Sequence, residues 1–174
     1  MGYLRRCMRY PLLKVAQRMD IWSSVDGVRV GALSPDRAMG VRAKVRLMDA
    51  LKLIRTNSPQ RYLRICRDMR SILAIAPRSN RDIYATYTPG LRMCIVNAYM
   101  AANDSIAIEE LAAVIVHEAA HARLWKRGVR HTRRVLTRIE YVCLKEEIVF
   151  LKRLSCTEDL VHAIERKRAS LVFG

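Results

Sequence analysis

No stretch of this 174-residue chain is apolar for long enough to span a bilayer, and its cysteines form no C-x-x-C pair. The first absence argues against a transmembrane segment. The second argues against a zinc knuckle. The five cysteines (Cys7, Cys66, Cys94, Cys143, Cys156) are odd in number and scattered, which also argues against a disulfide framework. A reducing, cytoplasmic setting fits them best. The basic start Arg5-Arg6 leads into no secretory apolar region, since Arg9 and Lys14 interrupt it. Met1-Gly2 lacks the Ser or Thr that myristoylation wants at position 6, where Arg6 stands. Acidic residues are half as many as basic ones, 16 against 32, for a net charge of +16. That excess suits an acidic partner such as nucleic acid, anionic lipid or an acidic protein. It is spread along the whole chain, with no helix-turn-helix or zinc-finger spacing beside it, so it also reads as a solvated arginine-rich surface. Aromatic residues make up only 6%, but 51% of residues are hydrophobic, enough for a core. No repeat, low-complexity tract or long linker divides the chain, so residues 1–174 are expected to form a single domain.

Along the chain, residues 1–22 read as an amphipathic packing helix, though a basic helix lying on a membrane has the same pattern. Val25-Asp26-Gly27-Val28 predicts a tight hairpin turn. Ser34-Pro35 predicts an N-cap and first turn for a helix to about Arg55, with Val41, Val45, Met48 and Leu51 at helical spacing. A second helix is expected over 59–69, with Leu63, Cys66 and Met69 along one side. Residues 71–75 predict a strand, 78–82 a turn, and 83–88 and 91–97 two extended segments around Pro89-Gly90. Helices follow over about 108–127, closed by Gly128, then from Thr132 to about Leu154, then from a Thr157 cap onward. The fold class is therefore α+β. A small sheet of three or more strands packs on one helix, followed by a C-terminal helical hairpin and a last helix.

The decisive pattern is His117-Glu118-Ala119-Ala120-His121. Residues four apart share a helix face, so both imidazoles can reach one ion, with Glu118 beside them. From Leu111 to Ala122 the three motif side chains are the only polar ones. A helix apolar all round is buried, and buried ionisable groups are costly unless paired or bound to metal. Two satisfied core histidines and a glutamate paired with arginine would also meet that demand. One Zn²⁺ meets it more simply, with Glu118 as general base.

A catalytic zinc commonly has three protein ligands and one open position. The downstream acids are Glu140, Glu146 and Glu147. At ~1.5 Å per residue, His121 lies about 9 Å from the end of its helix. If the chain turns at 128–131 and runs back, Glu140 lies about 10 Å into the next helix, level with His121. Glu140 is thus the expected third ligand, with a surface ion pair to Arg134 or Arg138 as its alternative. Glu147, further along the same side (Leu136, Leu144, Leu151), is positioned to orient a histidine N–H, while Glu146 suits an arginine. Donors for an oxyanion are sought among His131, Tyr99, Tyr141 and Arg134, with His131 and Tyr99 preferred as catalytic candidates. His162 reads as structural or exposed.

His117-Glu118-x-x-His121, with Glu140 after eighteen intervening residues, resembles the gluzincin branch of the zincin metallopeptidases. The resemblance is firm over about 25 residues and extends loosely over the last 80. It implies a zincin-like fold, one zinc held by His117, His121 and Glu140, and Glu118 acting on water. It also implies an edge strand that aligns a peptide substrate, placed by the sequence at Leu91–Asn97. Ile139 stands where many gluzincins have Asn before the third ligand, and no G-x-M-E-N segment is present, so aminopeptidase activity is not implied. The expectation is a zinc-dependent metallopeptidase acting on a peptide or protein substrate. Its rivals are a non-catalytic zinc-stabilised module and a basic nucleic-acid-associated protein. A toxin or effector protease is a further form of the first reading.

Overall fold

The structure is a computed structural model that describes residues 21–77, 84–132, 134–154 and 158–173. It is α+β. A hairpin, β1 (Trp22–Val25) and β2 (Val28–Leu33), precedes α1 (Arg37–Asn57) and α2 (Pro59–Asp68). Strands β3 (Ser71–Ile75), β4 (Ala85–Thr88) and β5 (Met93–Asn97) follow. Then come a short α3 (Ala98–Ala102), α4 (Ile108–Lys126), α5 (Leu136–Leu151) and α6 (Glu158–Phe173). Among the described residues, no helix is long and apolar enough to cross a membrane.

The five strands form one mixed sheet in the order β1-β2-β3-β5-β4. β2, β3 and β5 are parallel, and β1 and β4 lie antiparallel on the two edges. Asp26 and Gly27, both at positive φ, make the tight turn of the β1–β2 hairpin. Alternation then sorts the strand residues. Val28, Val30, Ile72, Ala74, Cys94 and Val96 face the helices, whereas Leu73 and Met93 cover the opposite face with Trp22. α4 packs against α1, α2, β4 and α5, at the centre of the helical layer.

Several expectations need correction. The strand placed at the sheet edge, Leu91–Asn97, is internal as β5; the edge is β4, because the chain returns antiparallel on the outside of β5. Asp36, not Ser34, caps α1: its Oδ1 accepts the N–H groups of Ala38 and Met39, while the Ser34 hydroxyl accepts the Asp36 N–H at 3.1 Å. The buried face of α1 is Gly40, Ala43, Leu47, Ala50, Leu51 and Ile54. Val41 and Val45, on the stripe expected to be apolar, are 55% and 43% exposed. Small residues let α1 approach the sheet closely there, so the bulkier side chains point away. In α2 the inward residues are Tyr62, Ile65 and Asp68, and Leu63 is 65% exposed. α5 begins after Val135, which contributes no side-chain cap, rather than at Thr132, and it ends at Leu151. The turn at 78–82, the Thr157 cap and nearly all of the helix expected over 1–22 lie outside the described residues; the last residue of that span, Trp22, opens β1.

Candidate metal centre

α4 carries the motif. Glu109 and Glu110 in its first turn and Arg123 and Lys126 in its last complement the helix dipole. Its far end is anchored by Lys126, whose Nζ meets the buried carboxylate of Asp68 at 2.9 Å. Leu111, Ala112, Ala113, Ile115, Val116, Ala120 and Ala122 bury the helix, and Glu118 and His121 are buried with them. Gly128, at φ +85°, turns the chain out of the helix and back toward α5.

On α5, Glu140 faces both imidazoles. One carboxylate oxygen lies 3.4 Å from His117 Nε2 and the other 3.4 Å from His121 Nε2. The two Nε2 atoms are 3.2 Å apart. Glu147, two turns on, lies 3.0 Å from His117 Nδ1. Glu146 points elsewhere, to Arg61 at 2.9 Å and Arg123 at 3.4 Å. A neutral His117 whose Nδ1–H donates a hydrogen bond to Glu147 presents only a lone pair at Nε2. That lone pair then faces an anionic carboxylate and a second imidazole. A shared cation reconciles these three donors, so the residues present fit a metal ion.

A fourth donor stands beside them. One ring nitrogen of His117, one of His121 and the Cys143 sulfur lie within 4.8 Å of one another, placed so that they could hold a metal ion. Glu140 is not one of those three mutually close residues; it meets the two Nε2 atoms through separate oxygens, each at 3.4 Å. Cys143 was not singled out from the sequence, although it lies three residues after Glu140 and four before Glu147, on one helical face. Its thiol is fully buried, and that burial, with the surrounding glutamates, keeps it protonated in the metal-free chain.

The ionisation of the cluster follows its packing. Burial disfavours a charged His117, but hydrogen bonds to Glu140 and Glu147 and nearby negative charge outweigh it and raise its pKa to about 9. A proton there stands in for the cation. His121 goes the other way: burial and the charge on His117 lower it to about 4. The hydrogen bond from His117 holds the Glu140 carboxyl below its usual range. Glu118, only 6% exposed, is raised to about 7, by burial first and by Glu140 and Glu147 as well.

One stabilising contact to Glu118 comes from the edge strand. The Asn97 N–H donates to Tyr84 C=O at 2.8 Å. In an antiparallel pair the bonded positions alternate, so Tyr87 turns its N–H away from β5. Glu118 receives it. This backbone donor carries no sequence signal, since any residue but proline supplies it.

The remaining candidates divide. The His131 ring lies 5.0 Å from the His121 ring and 5.7 Å edge-on from Trp125, with its Nε2 buried and unpartnered. Burial lowers its pKa, so it is neutral near pH 7. Tyr99 projects from α3, 52% exposed, and Tyr141 lies under the Arg168 guanidinium; neither is brought into the cluster. Arg134 is exposed, and His162 is exposed on α6, 3.6 Å from Glu165. Compared with known proteins, the chain matches no family model, no curated protein and no solved structure.

Proposed function

We propose that the chain is a zinc-dependent metallopeptidase of zincin-like fold, hydrolysing peptide bonds at the centre formed by His117, His121 and Glu140. The observation that carries this reading is the convergence of the two Nε2 atoms, 3.2 Å apart, with one Glu140 oxygen 3.4 Å from each, and Glu118 buried on the same helix. Zinc bound there would polarise a substrate carbonyl and acidify a water.

The chain's own groups supply the rest. Glu118, held near neutrality, can take a proton and return it to the leaving amine at pH 7. The Tyr87 N–H favours the charged form of that carboxylate. Glu147 fixes the orientation of the His117 ring through Nδ1. His131, its buried Nε2 unpartnered and its ring 5.0 Å from that of His121, is the candidate donor to a developing oxyanion. The outward backbone groups of β4 at Ala85 can pair with an extended peptide, so the substrate is aligned by β4 rather than by β5.

The presence of Cys143 near the histidines favours a second reading, a zinc-stabilised module without catalysis, because a closed set of donors is the mark of structural zinc. Zinc analysis paired with hydrolysis of a quenched peptide library separates the two. A metallopeptidase gives one zinc per chain and turnover that is lost in Glu118→Gln. A structural module gives the zinc without turnover, and a chain that turns over peptide without zinc overturns both.

A further inference from the structure

We propose that Cys143 donates its sulfur to the same ion as His117 and His121, closing the centre at rest; this rests on the reading of a metal at that site. Three observations converge. The sulfur and one ring nitrogen of each histidine lie within 4.8 Å of one another. Cys143 is fully buried, so its side chain is directed into the protein beside α4 rather than to solvent. It lies one turn beyond Glu140 on the same helix, so a single rigid element delivers both an oxygen and a sulfur.

The donor set is then two nitrogens, one oxygen and one sulfur. A thiolate selects borderline and soft ions such as Zn²⁺ and Co²⁺ over Mg²⁺, Ca²⁺ or Mn²⁺. The S–H proton passes to solvent as the sulfur–metal bond forms and returns when it breaks. Four donors complete a tetrahedral centre. The sulfur must therefore give up its place before Glu118 can act, and Cys143 works as a latch on the site.

Cobalt reports thiolate ligation directly. The purified full chain is stripped with a chelator, titrated with Co²⁺ and read for the near-ultraviolet sulfur-to-cobalt charge-transfer band. The expected result is one Co²⁺ per chain with that band. Cys143→Ser and Cys143→Ala should keep the cobalt and lose the band, and the zinc-loaded variants should hydrolyse peptide faster than the parent. Stoichiometric Co²⁺ that is lost in His121→Ala but shows no such band in the parent overturns the sulfur ligation and leaves the metal centre standing. A band without faster hydrolysis in either variant overturns the latch. Failure to bind Co²⁺, or binding indifferent to His121→Ala, overturns the metal reading itself.

Discussion

Glu147 Oε2 lies 3.0 Å from His117 Nδ1, and that contact decides what the other nitrogen of the ring can do. With one proton held on Nδ1 by Glu147, the second, on Nε2 between Glu140 and His121, is the one a bound cation would displace. Glu147→Ala frees the ring to rotate and to change tautomer. The expected consequence is a loss of about 10–100-fold in zinc affinity, measured by competition with a chromophoric chelator. Affinity equal to the parent's would show that Glu147 is an ordinary buried acid.

Glu118 lies close enough to the cluster to feel the charges of His117, Glu140 and Glu147, and is not among the proposed ligands. Glu118→Gln keeps the shape and the Tyr87 contact and removes the proton acceptor. The zinc content should stay at the parent's level while turnover falls by about 10²–10⁴-fold. A variant that loses zinc would instead place Glu118 among the ligands.

Much of this cluster is legible in the sequence, for a physical reason. His117, His121, Glu140 and Glu147 lie on two helices, with His131 in the segment that joins them, and helical rise and periodicity carry position faithfully over that distance. Cys143 shares the same geometry, but one isolated cysteine carries little sequence signal. The sheet is a different matter. Which of β4 and β5 takes the edge depends on pairing between segments, which local pattern does not encode. The inward face of α1 was hidden because Gly40, Ala43 and Ala50 bury closely while the more hydrophobic Val41 and Val45 face water. The α1 cap moved from Ser34 to Asp36 because both residues can accept a backbone N–H, and the tertiary turn selects the second.

The metal-free chain should weaken as pH rises from 7 to 9. His117 keeps its proton to about pH 9 when folded, against about 6.5 for a histidine in the unfolded chain. Its contribution is full below 6.5 and is lost as pH climbs through 9. The raised Glu118 acts in the same direction, but between about 4.5 and 7. The lowered His121 opposes it between about 4 and 6.5, so above pH 7 the His117 effect stands alone among these three. Between pH 7 and 9 the loss is on the order of 2 kcal/mol for a shift of this size. Urea unfolding at pH 7 and 9 measures it. One equivalent of Zn²⁺ should flatten the slope, since the ion replaces the proton. A slope unchanged by zinc would separate His117 from the metal.

Asp68 supports the site at a distance. Its carboxylate is buried at the end of α2 and gripped by Arg67 at 2.7 Å and Lys126 at 2.9 Å, which ties down the C-terminal end of α4. The Arg67 hydrogen bond, ahead of that from Lys126, holds its pKa down at about 2 against the penalty of burial. Replacing both cations, Arg67→Met with Lys126→Met, strands a buried charge and should cost about 3–5 kcal/mol in urea unfolding. Adding Asp68→Asn to that pair should restore most of the loss. No recovery would mean that the cations matter through packing alone.

The metal content of the purified full chain bears most directly on all of this. Elemental analysis of the parent beside His121→Ala and Glu140→Ala should find one zinc per parent chain, almost none in His121→Ala and a marked reduction in Glu140→Ala. A folded parent without stoichiometric zinc, unable to take it up after dialysis against the ion, would mean that His117, His121 and Glu140 meet only as a buried ion-pair network.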